Sequence, residues 1–426
     1  GGAAMPHQLG VTIRAMVAAE QVADLRKWLT ASAPQGLADS PFHFRHLRGL
    51  HFAKLFLIEQ TDDLKGRPIP ASLVLMTEVD APLHRYLDEL IDVAGDGINQ
   101  AFGYCAGYPG PAARRPARIG WLRQHLVQAS AVYVNTVGRG LRQIRQEAYL
   151  RDVLEDYLDR ADWTGRAPAA VRRDLQAYVA GRADLAWAMK PAAPPSLTFR
   201  VREAVNEVVV PLALVPLLPA LAFALPAWAV LLRLAERRDT PVTERPTLRH
   251  LETLASYEDY TAQNPFAVVG FIKPGPLRLA TIRGVMFALN YAVRHVYNDG
   301  SLAGITTIHF ARWVPLDGWR RMTFASNYDG AVEAYNDDFI DEVWWGLNAA
   351  FGNAVGYPPT RWLFWGGAKY EEQFKNSLRI HQVPVPLWYS AYPWLSAVNI
   401  EKNAQIRAGL RGEMSPAAAQ CWLSLL

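Results

Sequence analysis

An internal duplication constrains this chain more than any other feature. Leu50-His51-Phe52-Ala53-Lys54 matches Ile308-His309-Phe310-Ala311-Arg312. Asp80, Tyr86 and Gly107-Tyr108-Pro109 match Asp329, Tyr335 and Gly356-Tyr357-Pro358 at a constant offset of 249 residues. Further on, His125, Tyr133 and Arg151 match His381, Tyr389 and Arg407 at an offset of 256. One supersecondary unit is therefore used twice.

Each copy reads as βαββαβ. In the first, Val11–Val17 is a strand and Ala18–Thr30 a helix. Leu50–Glu59 and Ser72–Val79 pair around Lys65-Gly66-Arg67-Pro68, Leu83–Phe102 is the second helix, and a fourth strand is expected near Arg118–Trp121. In the second copy Ala267–Ile272 is a strand and Leu277–Val296 a helix stopped by Asn298-Asp299-Gly300. Ile305–Leu316 and Arg321–Ala325 pair around the hairpin signal Asp317-Gly318. Val332–Phe351 is a helix and Arg361–Trp365 the fourth strand, with a helix (Tyr370–Ile380) and a strand (Pro386–Tyr389) appended. The expected class is α+β: two ferredoxin-like repeats, 5–151 and 266–411, forming an intramolecular α+β barrel, with a tail at 412–426.

Between the repeats lies an insertion, 152–265, with a charged amphipathic helix leading into it (Arg145–Trp163) and a second helix at Ala169–Met189. After Pro191, Pro194 and Pro195 comes Val208–Leu232, 25 residues without a charge that include Pro211, Pro216, Pro219 and Pro226. That length can span a bilayer. A single crossing would put the two repeats on opposite sides, and both flanks are basic (Arg200 and Arg202; Arg233, Arg237 and Arg238). A re-entrant hairpin bending near Pro219, or an in-plane anchor, satisfies both constraints. A buried arm or an oligomer contact is the alternative, and a homo-oligomer is compatible with either.

Composition narrows the partners. A net charge of +4 and a pI near 9.0, without a Lys/Arg cluster, give no nucleic-acid signature. Cys105 and Cys421 form no CxxC or CxxCH, which argues against a disulfide scaffold, a zinc ribbon or covalent c-type haem. No basic segment precedes an apolar one after Met5, so the expected location is the cytoplasmic side of a membrane. GxGxxG, GxxxxGK[ST], GxSxG and HExxH are all missing.

The chemistry is expected in 277–313. The helix carries an apolar stripe (Ile282, Val285, Met286, Leu289, Val293) and beside it a track of small residues, Gly284, Ala288 and Ala292, leading to His295. An imidazole beside small residues is a common way to ligate haem iron; a helix end favoured by the macrodipole is the plainer reading of His295. His309 is a candidate acid/base, or a core histidine like its twin His51. Arg312 has the opposite strand parity and shares a pocket with His309 only across a bulge. Asp329 and Asp80 read as helix caps, and His381 is a second candidate axial ligand.

With these residues in place, the layout resembles the dimeric α+β barrel superfamily, and its haem branch of dye-decolorising peroxidases and chlorite dismutases in particular. The resemblance implies haem b in the C-terminal unit, His295 as proximal ligand, and Arg312, 17 residues on, as distal charge stabiliser, with His309 as a peroxidase-like substitute. Ser326-Asn327-Tyr328-Asp329-Gly330 is similar to the GxxDG of dye-decolorising peroxidases in its Asp-Gly, with Ser326 in place of the first glycine. The expected function is a membrane-associated haem oxidoreductase of peroxidase or peroxygenase type, acting on a lipophilic substrate such as a fatty acid or other lipid. A cofactor-free barrel enzyme with His309 or His51 as base, and a haem- or lipid-binding protein without turnover, are the alternatives.

Overall fold

The computed structural model describes residues 8–426 apart from 81, 136, 195–196, 242 and 298–299; the expected helix stop at Asn298 and Asp299 lies outside the described residues. The chain begins β1 (Gln8–Met16), α1 (Val22–Ser32), β2 (Leu50–Ile58), β3 (Ser72–Asp80), α2 (Leu83–Phe102), α3 (Arg115–Gln124), β4 (Ala131–Val134) and α4 (Leu141–Leu158). Next come α5 (Pro168–Ala180), α6 (Leu197–Leu214), α7 (Leu218–Glu236) and α8 (Leu248–Ala255). The second copy is β5 (Gln263–Phe271), α9 (Pro276–His295), β6 (Ile308–Leu316), β7 (Arg321–Asp329), α10 (Val332–Phe351), α11 (Glu371–His381), β8 (Leu387–Ser390) and α12 (Ala397–Gly409), followed by α13 (Pro416–Leu423).

The protein is α+β, with two four-stranded antiparallel sheets in the orders β1-β3-β2-β8 and β4-β6-β7-β5. The copies exchange their last strands: β8 of the second pairs with β2 of the first, and β4 of the first pairs with β6 of the second. Two expectations are corrected here. Arg118–Trp121 lies inside α3, where Pro116 occupies the first turn, a position that suits proline because its missing N–H would have no helical partner. Arg361–Trp365 is the bend of a small hairpin, 360–361 against 365–366, and not a sheet strand. Nor do the sheets close into a barrel. At their seams they meet through single bridges, Ile13 to Leu126 and Val268 to Gln382, in place of a ladder.

The two sheets face each other. Phe56, Ile58, Val74 and Met76 of one meet Ala267, Val314, Leu316 and Ala325 of the other. Their outer faces are covered by helices, so β2 is buried along its whole length and loses the alternation expected of a strand with one wet face. The inter-sheet layer also holds a reciprocal pair of cations. Lys54 donates to Ser326 O at 3.0 Å and to the Asn327 side chain across the gap. Its twin Arg312 donates to Thr77 O at 2.7 Å and to the Glu78 carboxylate, the twin of Asn327.

Two cations thus share one carboxylate in a buried layer. Burial, opposed by Glu78 and reinforced by Arg312, pushes the Lys54 ammonium down from 10.5 to about 8. Between those values the unfolded chain holds a proton that the folded chain has released, so this group's contribution to stability rises with pH from about 8 to 10.5. Lys54→Met is expected to remove that rise. Urea unfolding of the wild type and the variant at pH 7.5, 8.5 and 9.5 checks it: the stability difference between them should change steadily in favour of the wild type as pH increases.

Candidate functional site

The duplicated histidines are built into the strand bulges. The β2–β3 register shifts between Leu50 and Phe52, and the β6–β7 register between Ile308 and Phe310, so His51 and His309 are each the extra residue. His309 Nε2 lies 2.7 Å from Asp329 Oδ1, and His51 Nε2 3.0 Å from Asp80 Oδ1. Each carboxylate uses its other oxygen on a helix start. Asp329 accepts from Ala397 N of α12, and Asp80 from Leu141 N of α4. Both aspartates do cap helices, but helices far along the chain from the ones they precede. Both histidines are buried, and Phe52, Phe310 and Tyr392 fill the space between them. This twofold-repeated lock joins strand ends to helix starts. Arg312, three residues from His309 and committed to Glu78, has different partners despite the bulge.

The residues expected around haem do not form a slot. Gly284 and Ala288 are exposed, and a Cβ added at Gly284 would meet nothing. His295 packs on Tyr291, with Nε2 3.8 Å from Glu203 Oε2 of α6. The buried side of α9 is Ile282, Met286 and Val293. The small-residue track with Ala292 therefore runs along the outer side of α9, away from the sheet, and among the described residues His295, His309 and Arg312 are committed to separate partners, Glu203, Asp329 and Glu78. Among the described residues no group of three His, Cys, Asp or Glu could hold a metal ion.

An apolar cavity of about 80 Å³ does exist in the second half, between the β5–β7 sheet and α9, α10 and α11. Phe266, Phe324, Phe339, Phe351 and Phe374 line it, together with His381, Ser377, Asn336 and Asn353. The first half shows why it is there. Ser377 is the twin of Trp121, which stacks on His125 at 3.8 Å between centroids and packs edge-on against Phe102 and Tyr108. The counterparts of those two rings, Phe351 and Tyr357, line the cavity instead. Asn353 replaces Tyr104, which packs beside Trp28, and Asn336 replaces Leu87, a fully buried core residue. An indole and a phenol are thus missing from the second copy, and two amides have been added.

Those polar groups are only partly satisfied. Asn353 Oδ1 accepts from Arg278 at 3.2 Å, while its Nδ2 is buried without a partner. Asn336 is 2% exposed and its side chain makes no hydrogen bond among the described residues. His381 Nδ1 lies 2.7 Å from Ser377 O, an arrangement that orients the ring with Nδ1–H donating and leaves Nε2 as an acceptor. His381 sits between Gly270 and Gly356. A Cβ at Gly356 would come within 2.8 Å of the ring, and its φ of +82° is itself a glycine conformation. Burial raises the Tyr335 and Tyr357 phenols well above their usual range, so both remain neutral.

The apolar insertion stands against the outside of this half. Phe199–Glu236 is, among the described residues, the one helix long and apolar enough to cross a membrane, and none of its apolar window is buried in protein. Its path is bent. Tyr291 Oη donates to Glu207 O, and Trp228 Nε1 donates to Thr281 Oγ1. A straight antiparallel helix starting level with Tyr291 would carry Trp228, 21 residues on, to the level of residue 270. Trp228 meets Thr281 instead, so the segment does not run as one straight helix in register with α9. It includes a 3₁₀ turn at Val215–Leu217 and prolines 211, 216, 219 and 226, each lacking an N–H for the helical ladder. Its second leg is rooted on Thr281, beside Ile282 in the cavity wall.

The chain matches no protein-family model, no curated protein and no solved structure.

Proposed function

We propose that this is a membrane-associated protein that holds a lipophilic molecule bearing a hydrogen-bonding group in the cavity of its second half. The observation carrying this reading is the divergence of the two copies. Trp121, Tyr104 and Leu87 fill the first copy, whereas Ser377, Asn353 and Asn336 leave space in the second and place an unpartnered amide nitrogen, Asn353 Nδ2, in its wall. Its mostly apolar lining with a few convergent polar groups is that of a small-molecule site. Asn353 Nδ2 would donate to a carbonyl, carboxyl or hydroxyl oxygen of the ligand. Nε2 of His381 would accept a proton or a hydrogen bond from it. Each half is read as a ferredoxin-like unit with its last strand exchanged, and the bent helix as a re-entrant hairpin that brings the cavity close to the bilayer. Binding of a fluorescent long-chain carboxylate to the purified chain tests the reading, which predicts one saturable site per chain that an Asn353→Leu, Asn336→Leu variant loses.

A second reading is that this side of the second half would take haem b, with His381 in place of His295 as the residue that would hold the iron. What favours it is the imidazole held by a backbone carbonyl through Nδ1, the usual support for a metal-ligating histidine. Haem would supply redox chemistry on a lipophilic substrate. An absorption spectrum decides: a Soret band lost in His381→Ala and kept in His295→Ala supports haem at this site, and no band after expression with added haem removes it.

The membrane claim has its own expected outcome. Leu212, Leu217, Leu218, Phe223 and Leu225 are 50–84% exposed. Changing all five to serine should move most of the chain from the membrane fraction to the soluble fraction and leave the melting temperature unchanged, because none of them contributes to a protein core. Fractionation and a thermal melt check it.

A further inference from the structure

The bent helix ends on a loop with no part in the cavity. Trp362, Phe364 and Trp365 are 46%, 38% and 55% exposed on the bend of the 360–366 hairpin. Trp362 and Leu363 both have left-handed backbones, with φ of 54° and 67°, a conformation that bulky residues seldom adopt without support. The support is Glu236, the last residue of α7, whose side chain is 0% exposed. Its carboxylate accepts from Thr360 Oγ1 at 2.9 Å and from the N–H groups of Trp362 and Leu363, both at 2.8 Å. A buried carboxylate at the end of the apolar helix therefore holds three large aromatic rings out of the protein.

We propose that Trp362, Phe364 and Trp365 form a second membrane anchor, seated in the headgroup region of the bilayer beside the root of the apolar hairpin. This rests on the membrane reading of Phe199–Glu236. The dimensions agree with it. From Pro219 to Glu236 there are 17 residues, about 25 Å of helix. One leaflet with its headgroups is about 20–22 Å deep, so a tilted leg with its elbow near the bilayer centre brings Glu236 to the interface. Tryptophan is the residue type enriched at that level, where one side of the ring is apolar and the other wet. Arg237, Arg238, Arg361 and Lys369 are exposed nearby and suit anionic headgroups. The acidic run Asp337, Asp338, Asp341 and Glu342 lies on α10, at least six residues before Asn348, where that helix meets the hairpin.

The test is flotation of the full chain with phosphatidylcholine–phosphatidylglycerol vesicles. The combined variant Trp362→Ser, Phe364→Ser, Trp365→Ser should partition at least tenfold more weakly than the wild type. Trp394→Ser, a change at an exposed tryptophan elsewhere, should leave partitioning unaltered. Equal partitioning of the triple variant and the wild type overturns the proposal. If the triple variant melts at a lower temperature, Trp362→Phe, Trp365→Phe keeps the apolar bulk. Loss of quenching by shallow brominated lipids in that variant supports the anchor, and unchanged quenching overturns it. A wild-type chain that fails to float at all overturns the membrane reading itself, and this proposal with it.

Discussion

Ser377→Trp is expected to abolish ligand binding while leaving the fold intact. The substitution restores the residue that the first copy has at this position. There the indole lies in a box of His125, Phe102 and Tyr108, and the second copy keeps all three counterparts, His381, Phe351 and Tyr357. Overpacking a core usually costs about 1–3 kcal/mol, but here the added ring enters existing free space beside rings already arranged to receive it. The lost Ser377 hydroxyl bond to Gly356 O, 2.6 Å, is the opposing term, worth about 0.5–1.5 kcal/mol. The net change in stability should therefore be small. Affinity for a fluorescent long-chain carboxylate should fall at least a hundredfold, as measured by titration, with membrane partitioning unchanged. A variant that binds as the wild type does would place the ligand elsewhere.

Glu78→Ala is expected to be the most destabilising single change discussed here. Glu78 is the carboxylate partner of Arg312, whose side chain is 1% exposed, and it also counters the charge on Lys54. Removing one member of a buried pair leaves an uncompensated charge and costs about 3–5 kcal/mol. The twin change, Asn327→Ala, removes a neutral acceptor and should cost about 1–3 kcal/mol. The symmetry of the contacts thus predicts unequal energies, because the twins differ in charge. Urea unfolding of both variants measures the difference, and equal losses would mean that Glu78 acts only as a hydrogen-bond acceptor.

Much of the architecture was legible where the copies agree. The limits of Leu83–Phe102 and Val332–Phe351 are those expected, because each has helix-period apolar residues ending at a glycine, although the second is kinked at Val343. The turn at Asp317-Gly318 is also where it was expected, both residues having positive φ. The exchanged strands were not legible. β4 is only four residues long and pairs with β6, about 180 residues away, so nothing local marks it as a strand of the other half. Arg118–Trp121 reads apolar and aromatic because α3 turns Ile119, Trp121 and Leu122 into the core.

The candidate site was harder to read, for a different reason. Matching residues between the copies report the shared fold, and His51 with Asp80 and His309 with Asp329 belong to that shared part. Residues that differ report what one copy does alone. Trp121 against Ser377, Tyr104 against Asn353 and Leu87 against Asn336 were visible in the aligned repeats, but their common location emerges only when the helices are in place. His295 drew attention because it follows a track of small residues, yet its partner Glu203 comes from the insertion, which the repeat comparison does not cover.

Native mass spectrometry of the full chain released from membranes tests the central claim most directly. The account predicts the chain mass plus one lipophilic molecule for the wild type, and the bare chain mass for Ser377→Trp. The bare mass in both, or the same adduct in both, would contradict it.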